Sequence, residues 1–305
     1  MIQVYLPIAE LSVDASVIVG LGALVGFTSG LFGVGGGFLL TPLLIFLGIP
    51  PSVAVGSGTN QIIASSVSGV LAHFRRGNVD VRMGGVLLVG GILGSGLGVL
   101  LFNLLKSLGQ IDLTIRLAYV VFLSSVGGLM LVESVGSLIR KVPATTTPRG
   151  PENFAWAARL PWLMRFPKSG LYISAILPLG MGVVVGMLVA IMGVGGGFIM
   201  VPAMIYLLGM PTQVVIGTSL FQIIFVTIAT TFMQATLNHN VDAVLTLLLI
   251  AGGIIGAQWG ARAGAKIGGR NLRILLALLV LVVCSGLIRE LVITPDDPYS
   301  IVIER

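Results

Sequence analysis

Apolar positions run along this chain in long blocks, cut at intervals by short polar or glycine-rich stretches. A helix that crosses a bilayer core needs about 20 apolar residues. That length predicts helical segments over 13–32, 52–74, 83–105, 113–138, 171–192, 212–237, 243–263 and 272–291. Two further blocks, 38–48 and 198–209, are too short to cross. Eleven residues of helix reach about 16 Å, near half of a core. The pattern predicts an all-α polytopic membrane protein with about five helical segments on each side of a polar linker. Its divisions are a membrane repeat over 1–136, a linker over 137–170, a second repeat over 171–292 and a polar tail over 293–305.

The two sides are copies. Gly33-Val34-Gly35-Gly36-Gly37-Phe38 returns letter for letter as Gly193-Val194-Gly195-Gly196-Gly197-Phe198. Pro42 is answered by Pro202, Leu47-Gly48-Ile49-Pro50 by Leu208-Gly209-Met210-Pro211, and Gln61-Ile62-Ile63 by Gln222-Ile223-Ile224. Val79-Asp80 is answered by Val241-Asp242, and Gly90-Gly91 by Gly252-Gly253. Ordered identity at a nearly constant offset marks an internal repeat, and a glycine break inside each copy predicts an interrupted helix or a re-entrant hairpin at 33–38 and at 193–198.

Charge sharpens this picture. Only 9% of the 305 residues are charged and 56% are hydrophobic, against about 25% charged in a soluble domain. The net charge of +6 is carried by loops, so it bears on orientation and carries no nucleic-acid signal. Arg75, Arg76 and Arg82, the linker with Arg140, Lys141, Arg149, Arg159, Arg165 and Lys168, and the loop with Arg262, Lys266, Arg270 and Arg273 are expected in the cytoplasm. The loop 238–242 and the tail with Asp296, Asp297 and Glu304 are expected outside, as is the N-terminus; Lys106 and Arg116 fit this scheme less well. Equivalent loops then lie on opposite sides, which makes the repeats inverted. The stretch 1–20 carries Glu10 and Asp14 without an early Lys or Arg, so the first segment is expected to stay as an anchor. Cys284, alone in its kind, reads as a small buried apolar residue. Within the linker, 144–151 is turn-rich. For 153–166, with Trp156, Trp162 and Phe166, a short surface helix broken at Pro161 and a loose loop both remain open.

Three groups of residues could carry chemistry. A half helix starting after Gly37 or Gly197 aims unpaired N–H groups and a positive dipole end into the membrane. Gly35, Gly36, Gly37, Gly195, Gly196 and Gly197 would let an anion approach the backbone, unless the turns only pack against each other. Next come the polar runs. Ser57, Thr59, Asn60 and Gln61 descend from Pro50-Pro51 and bring Gln61 about 14 Å into the membrane. Thr218, Ser219 and Gln222 descend from the opposite face. Such side chains need partners; an oxyanion and a neighbouring helix both supply them. Last, Arg75, Arg76, Arg82 and Arg262 either draw anions to the inner mouth or only fix topology. His73 has a proton or substrate role open to it, and His239 reads as solvated. Asp80, Asp242 and Glu133 lie near segment ends and do not look like buried proton carriers. Glycines four apart, Gly90, Gly94 and Gly98, and Gly252, Gly256, Gly260 and Gly264, read as close helix packing. There is no His-Glu-x-x-His, no Gly-x-Ser-x-Gly and no metal cluster, so neither enzyme nor cofactor is expected.

The doubled glycine motif with its following Pro42 or Pro202, then Gly56-Ser57-Gly58-Thr59-Asn60 and Gly217-Thr218-Ser219, resembles the sulfite exporter TauE/SafE family, also called the 4-toluene sulfonate uptake permeases. The resemblance covers nearly the whole chain outside linker and tail. It implies a bacterial inner-membrane transporter of sulfite, sulfoacetate or another organosulfonate. Leu220-Phe221 stands where Thr59-Asn60 would repeat, so the implied site is asymmetric. A carrier working by alternating access and a channel with a glycine-lined filter are both compatible with these features. Expected partners are the anion, membrane lipid and, left open, a second copy of the chain.

Overall fold

The computed structural model describes residues 3–32, 35–140, 161–264 and 269–292. In chain order the elements are β1 (Gln3–Leu6), β2 (Leu11–Asp14), α1 (Ala15–Phe32), α2 (Gly37–Phe46), α3 (Pro51–Arg75), α4 (Val81–Ser107), α5 (Ile111–Arg140), β3 (Leu163–Phe166), β4 (Leu171–Ser174), α6 (Ile176–Met192), α7 (Gly197–Leu208), α8 (Thr212–Met233), α9 (Ala243–Gly264) and α10 (Gly269–Val292). A π-helical turn, Gln234–Asn238, continues α8. Every apolar block of the sequence houses a helix. Among the described residues, six helices are long and apolar enough to cross a membrane, while Gly37–Phe46 and Ile176–Met192 are shorter apolar helices.

Two small hairpins were not foreseen. β1 pairs antiparallel with β2, from Gln3 opposite Asp14 to Leu6 opposite Leu11. β3 pairs with β4 in the same way, from Leu163 opposite Ser174 to Phe166 opposite Leu171. The second hairpin corrects two expectations. Residues 163–166 are strand rather than part of a surface helix, and the segment expected over 171–192 becomes helical only at Ile176. Pro167 fixes its own φ and donates no N–H, and Gly170 takes φ +67, so the chain turns back here instead of winding on. Linker residues 141–160, with the turn-rich stretch 144–151 and the first part of 153–166, lie outside the described set.

Helices are exchanged between the halves. α1 packs along α9, and α6 packs along α4. Glycine makes both seams possible. A Cβ on Gly256 would stand 1.9 Å from the Ala23 carbonyl oxygen, and one on Gly94 would stand 2.0 Å from that of Val183. Any side chain there must push two backbones apart. At the centre α3 and α8 run antiparallel. Thr59 Oγ1 meets Thr231 Oγ1 at 2.9 Å, and Gly69 lies against Leu220. α5 and α10 pair in the same sense, through Arg116 and Glu290 at 3.0 Å and Ser124 and Cys284 at 3.1 Å. Arg116 is thus matched by a carboxylate, which accounts for a cation where loop charge alone did not place one. Leu93, Leu97, Leu100 and Leu104 stay exposed along α4, a face suited to lipid.

Candidate functional site

Each broken helix turns on glycines in left-handed conformation. Gly35 (φ +87) and Gly36 (φ +56) lead into α2; Gly193 (+70), Gly195 (+75) and Gly196 (+76) lead into α7. A side chain is strained at such angles. Both elbows are buried, and they face each other. The rings of Phe38 and Phe198, each one residue into its half helix, stack with centroids 4.3 Å apart and planes 15° apart. A Cβ on Gly37 would come within 2.8 Å of the Val194 carbonyl oxygen and 3.0 Å of that of Gly193. The first turns of α2 and α7 thus meet where the two repeats join. Some of their amides are taken up locally: Gly37 N–H donates to Gly35 O at 2.6 Å, and Met200 N–H donates to Gly196 O at 2.7 Å.

Two further side chains fix the elbows, and the sequence had singled out neither. Tyr119, in α5, is fully buried, and its hydroxyl donates to the carbonyl of Met192, the last residue of α6, at 2.6 Å. A buried phenol needs such a partner. Ile62, in α3, covers the glycines of both elbows.

The polar runs divide between two kinds of work. Ser57 Oγ accepts from the backbone N–H of Asp242 at 2.9 Å. Its counterpart Thr218 Oγ1 accepts from the backbone N–H of Asp80 at 3.0 Å. Each aspartate caps the helix that follows it. Asp80 accepts from Met83 N–H at 3.2 Å, and Asp242 from Val244 and Leu245 N–H at 3.0 and 3.1 Å. Each also holds a hairpin tip of the other repeat. Asp80 Oδ2 accepts from the N–H and the hydroxyl of Ser169 at 2.9 and 2.7 Å, while Asp242 Oδ2 accepts from Ile8 N–H at 3.0 Å. Both aspartates are buried, at 2% and 0% exposure, which is tolerable because every carboxylate oxygen is hydrogen-bonded.

The remaining expected residues are spread around this core. Thr59 donates to Gly56 O at 2.8 Å as well as meeting Thr231, and Ser219 donates back to Ile216 O at 3.0 Å within α8. Gln61 Nε2 donates to Gly22 O of α1 at 3.1 Å and lies against Gly253 of α9. Gln222 lies against Gly91 of α4, and its Oε1 is buried with no partner among the described residues. The two glutamines are therefore seated at different helix crossings, not side by side. Asn60 is half-buried.

The two ends differ in charge. Beside Asp80 an open hollow of about 230 Å³ is lined by Phe74, Val79, Val81, Arg82, Pro167 and Lys168. Lys168 Nζ donates to Gly77 O at 2.9 Å across its edge. Beside Asp242 stands a group of amides instead. Gln234 Oε1 accepts from Asn238 and Asn240, and Lys106 Nζ donates to Asn238 O at 3.0 Å. That bond accounts for Lys106 at an end otherwise poor in cations.

Comparison with known proteins agrees with this architecture. The chain is 29% identical over 270 residues to a probable membrane transporter protein, YjnA, of Bacillus subtilis (strain 168), covering 88% of this chain and 96% of that one. It is 31% identical over 247 residues to a probable membrane transporter protein of Xylella fastidiosa (strain 9a5c), covering 80% and 82%. Over a shorter stretch of 123 residues it is 30% identical to sulfite exporter TauE/SafE family protein 3 of Arabidopsis thaliana, covering 39% of this chain and 26% of that one. No solved structure gives a significant match. The model of the family described as sulfite exporter TauE/SafE matches residues 18–287, nearly the whole length of both repeats, and the chain belongs to that family of membrane transporters.

Proposed function

We propose that the protein is a secondary carrier that exports a small sulfur-containing anion, an organosulfonate such as sulfoacetate or sulfite itself, across a bacterial inner membrane by alternating access. The observation that carries this reading is the pair of buried glycine elbows facing each other across the join of the repeats. Two half helices that point their N-termini at one place give an oxyanion backbone donors and two positive dipole ends. In this reading Gly35, Gly36, Gly37, Gly195, Gly196 and Gly197 form the seat. Asn60 and Gln222 supply side-chain amides when the helices shift, and Gln61, Thr59 and Ser219 border it. Ser57 and Thr218 act through the aspartates they hold.

Antiparallel pairing of α3 with α8, and of α5 with α10, supports inverted repeats and so two access states related by a pseudo-twofold exchange. The hollow with Arg82 and Lys168, together with exposed Arg75 and Arg76, suits the cytoplasmic mouth, where it would gather anions. The end with Asp242 then faces outward. Energetics favour export. A dianion leaving an inside-negative cell gains about 2.3 kcal/mol per charge per 100 mV, or about 4.6 kcal/mol, so no coupling ion is needed.

Proteoliposomes loaded in turn with sulfite, sulfoacetate, taurine and sulfate test the proposal. Saturable efflux of one or more of the sulfur anions, accelerated by an inside-negative potential, is the expected result. Efflux of none of them would contradict it, and unitary currents far above carrier turnover would replace the carrier with a channel.

A further inference from the structure

We propose that Ile62 is the gate over the anion seat and sets the size of the anion that can enter it, an assignment that rests on the transport reading above. The side chain is 1% exposed and bridges the two elbows. A Cβ on Gly37 would stand 2.3 Å from Ile62 Cδ1, one on Gly195 would stand 2.8 Å from both Cδ1 and Cγ2, and one on Gly35 would stand 3.7 Å from Cγ2. One apolar side chain thus lies against backbone that belongs to both repeats.

The arrangement is not symmetric. The residue equivalent to Ile62 in the second repeat is Ile223, also 1% exposed. Its atoms are not among the nearest neighbours of Gly35, Gly36, Gly37, Gly193, Gly195 or Gly196. In the second elbow Gly193 lies against Val55, Gly195 against Ile62, and Gly196 against Val185 and Val189. Ile62, and not Ile223, therefore lies against Gly35 as well as against its counterpart Gly195.

An oxyanion must come within about 3 Å of a backbone N–H to be held by it. Ile62 packs against Gly35, Gly37 and Gly195 of the two elbows, so an anion that settles on this backbone has to displace the side chain. Isoleucine is branched at Cβ and stiff at χ1, so it clears the seat mainly by moving with its helix. α3 can transmit such a movement. It is tied to Asp242 through Ser57 at 2.9 Å and to α8 through Thr59 and Thr231 at 2.9 Å. Anion entry is thereby coupled to a shift of α3 against α8, and the volume that Ile62 vacates limits what replaces it.

The test is a size series. Efflux of sulfite, sulfoacetate and a bulky arylsulfonate is measured from proteoliposomes of wild type, Ile62→Val, Ile62→Ala and Ile223→Ala, with a thermal melt of each. Ile62→Ala should raise the bulky-to-small efflux ratio about tenfold or more, since a methylene or two in a pocket is worth about 10- to 200-fold in discrimination. Ile62→Val, which removes one methylene and keeps the fold, should raise it partway. Ile223→Ala removes the same atoms from the equivalent place, so it should lower the melting temperature comparably and leave the ratio unchanged. Equal ratios for Ile62→Ala and Ile223→Ala, in protein whose wild type transports, would overturn the gate and leave the carrier standing. A wild type that carries none of the anions would remove the carrier and the gate together.

Discussion

The ends of α3 and α8 carry the same joint in two settings. At one end Asp80 donates its backbone N–H to Thr218 and grips Ser169 of the β3–β4 tip; at the other Asp242 donates to Ser57 and grips Ile8 of the β1–β2 tip. Helix capping and exchange between repeats fix what is common. The surroundings fix what differs. The Asp80 joint uses two donors of one serine and borders a hollow with Arg82 and Lys168. The Asp242 joint uses one backbone N–H and borders uncharged amides. The lesson is that symmetry builds the frame, while the departures from it (a cationic end against an amide end, Ile62 against Gly35 and Gly195 alike) set its two ends and its two elbows apart.

Substitutions in the frame should hurt both halves alike and most severely. Gly94→Leu and Gly256→Leu each drive a side chain into a carbonyl that already lies 2.0 or 1.9 Å from the Cβ position. Each should cost about 3 kcal/mol or more, read as loss of monodisperse protein on size exclusion. If one half tolerates the change and the other does not, the equivalence of the two seams fails.

The joints come next and should separate. Asp80→Ala strands Met83 N–H and both donors of Ser169, at a cost of about 3 kcal/mol. It should open residues 163–174 to protease. Asp242→Ala should cost somewhat less at its hairpin, because only Ile8 N–H is released there. Tyr119→Phe leaves the Met192 carbonyl unpaired and should lower stability by about 1–2 kcal/mol, with a larger loss of transport than of folded protein. The smallest effect is at the hairpin tips. Glu10 holds φ +54 where its counterpart Gly170 holds +67. Glu10→Gly should therefore raise stability by up to about 1 kcal/mol, visible as a small rise in melting temperature.

Much of this was legible in the sequence. The ten described helices follow from apolar blocks, and the elbows from Gly33–Phe38 and its copy, because glycine breaks an apolar run without adding polarity. The hairpins were missed since four-residue strands such as Gln3–Leu6 have no period to detect beside long apolar helices. A signal was present: Leu6-Pro7 and Leu11 are matched 160 positions later by Phe166-Pro167 and Leu171, so the repeat begins before the first helix. The depth of Gln61 and Gln222 could be estimated by counting rise per residue, but their neighbours could not. Which helix a side chain meets depends on how α1 and α9, or α4 and α6, cross it. Tyr119 and Ile62 were invisible for a related reason: one is an ordinary tyrosine and the other an ordinary isoleucine until the elbows are brought to them.

The most direct test of the account places single cysteines at Phe38 and Phe198 in a Cys284→Ser background and applies a short thiol cross-linker in native membranes. The account predicts an efficient intramolecular bridge that stops efflux and is suppressed by a transported sulfur anion. Failure to bridge, with both thiols open to water-soluble or lipid-soluble reagents, would mean that the elbows do not meet and that no anion seat lies between them.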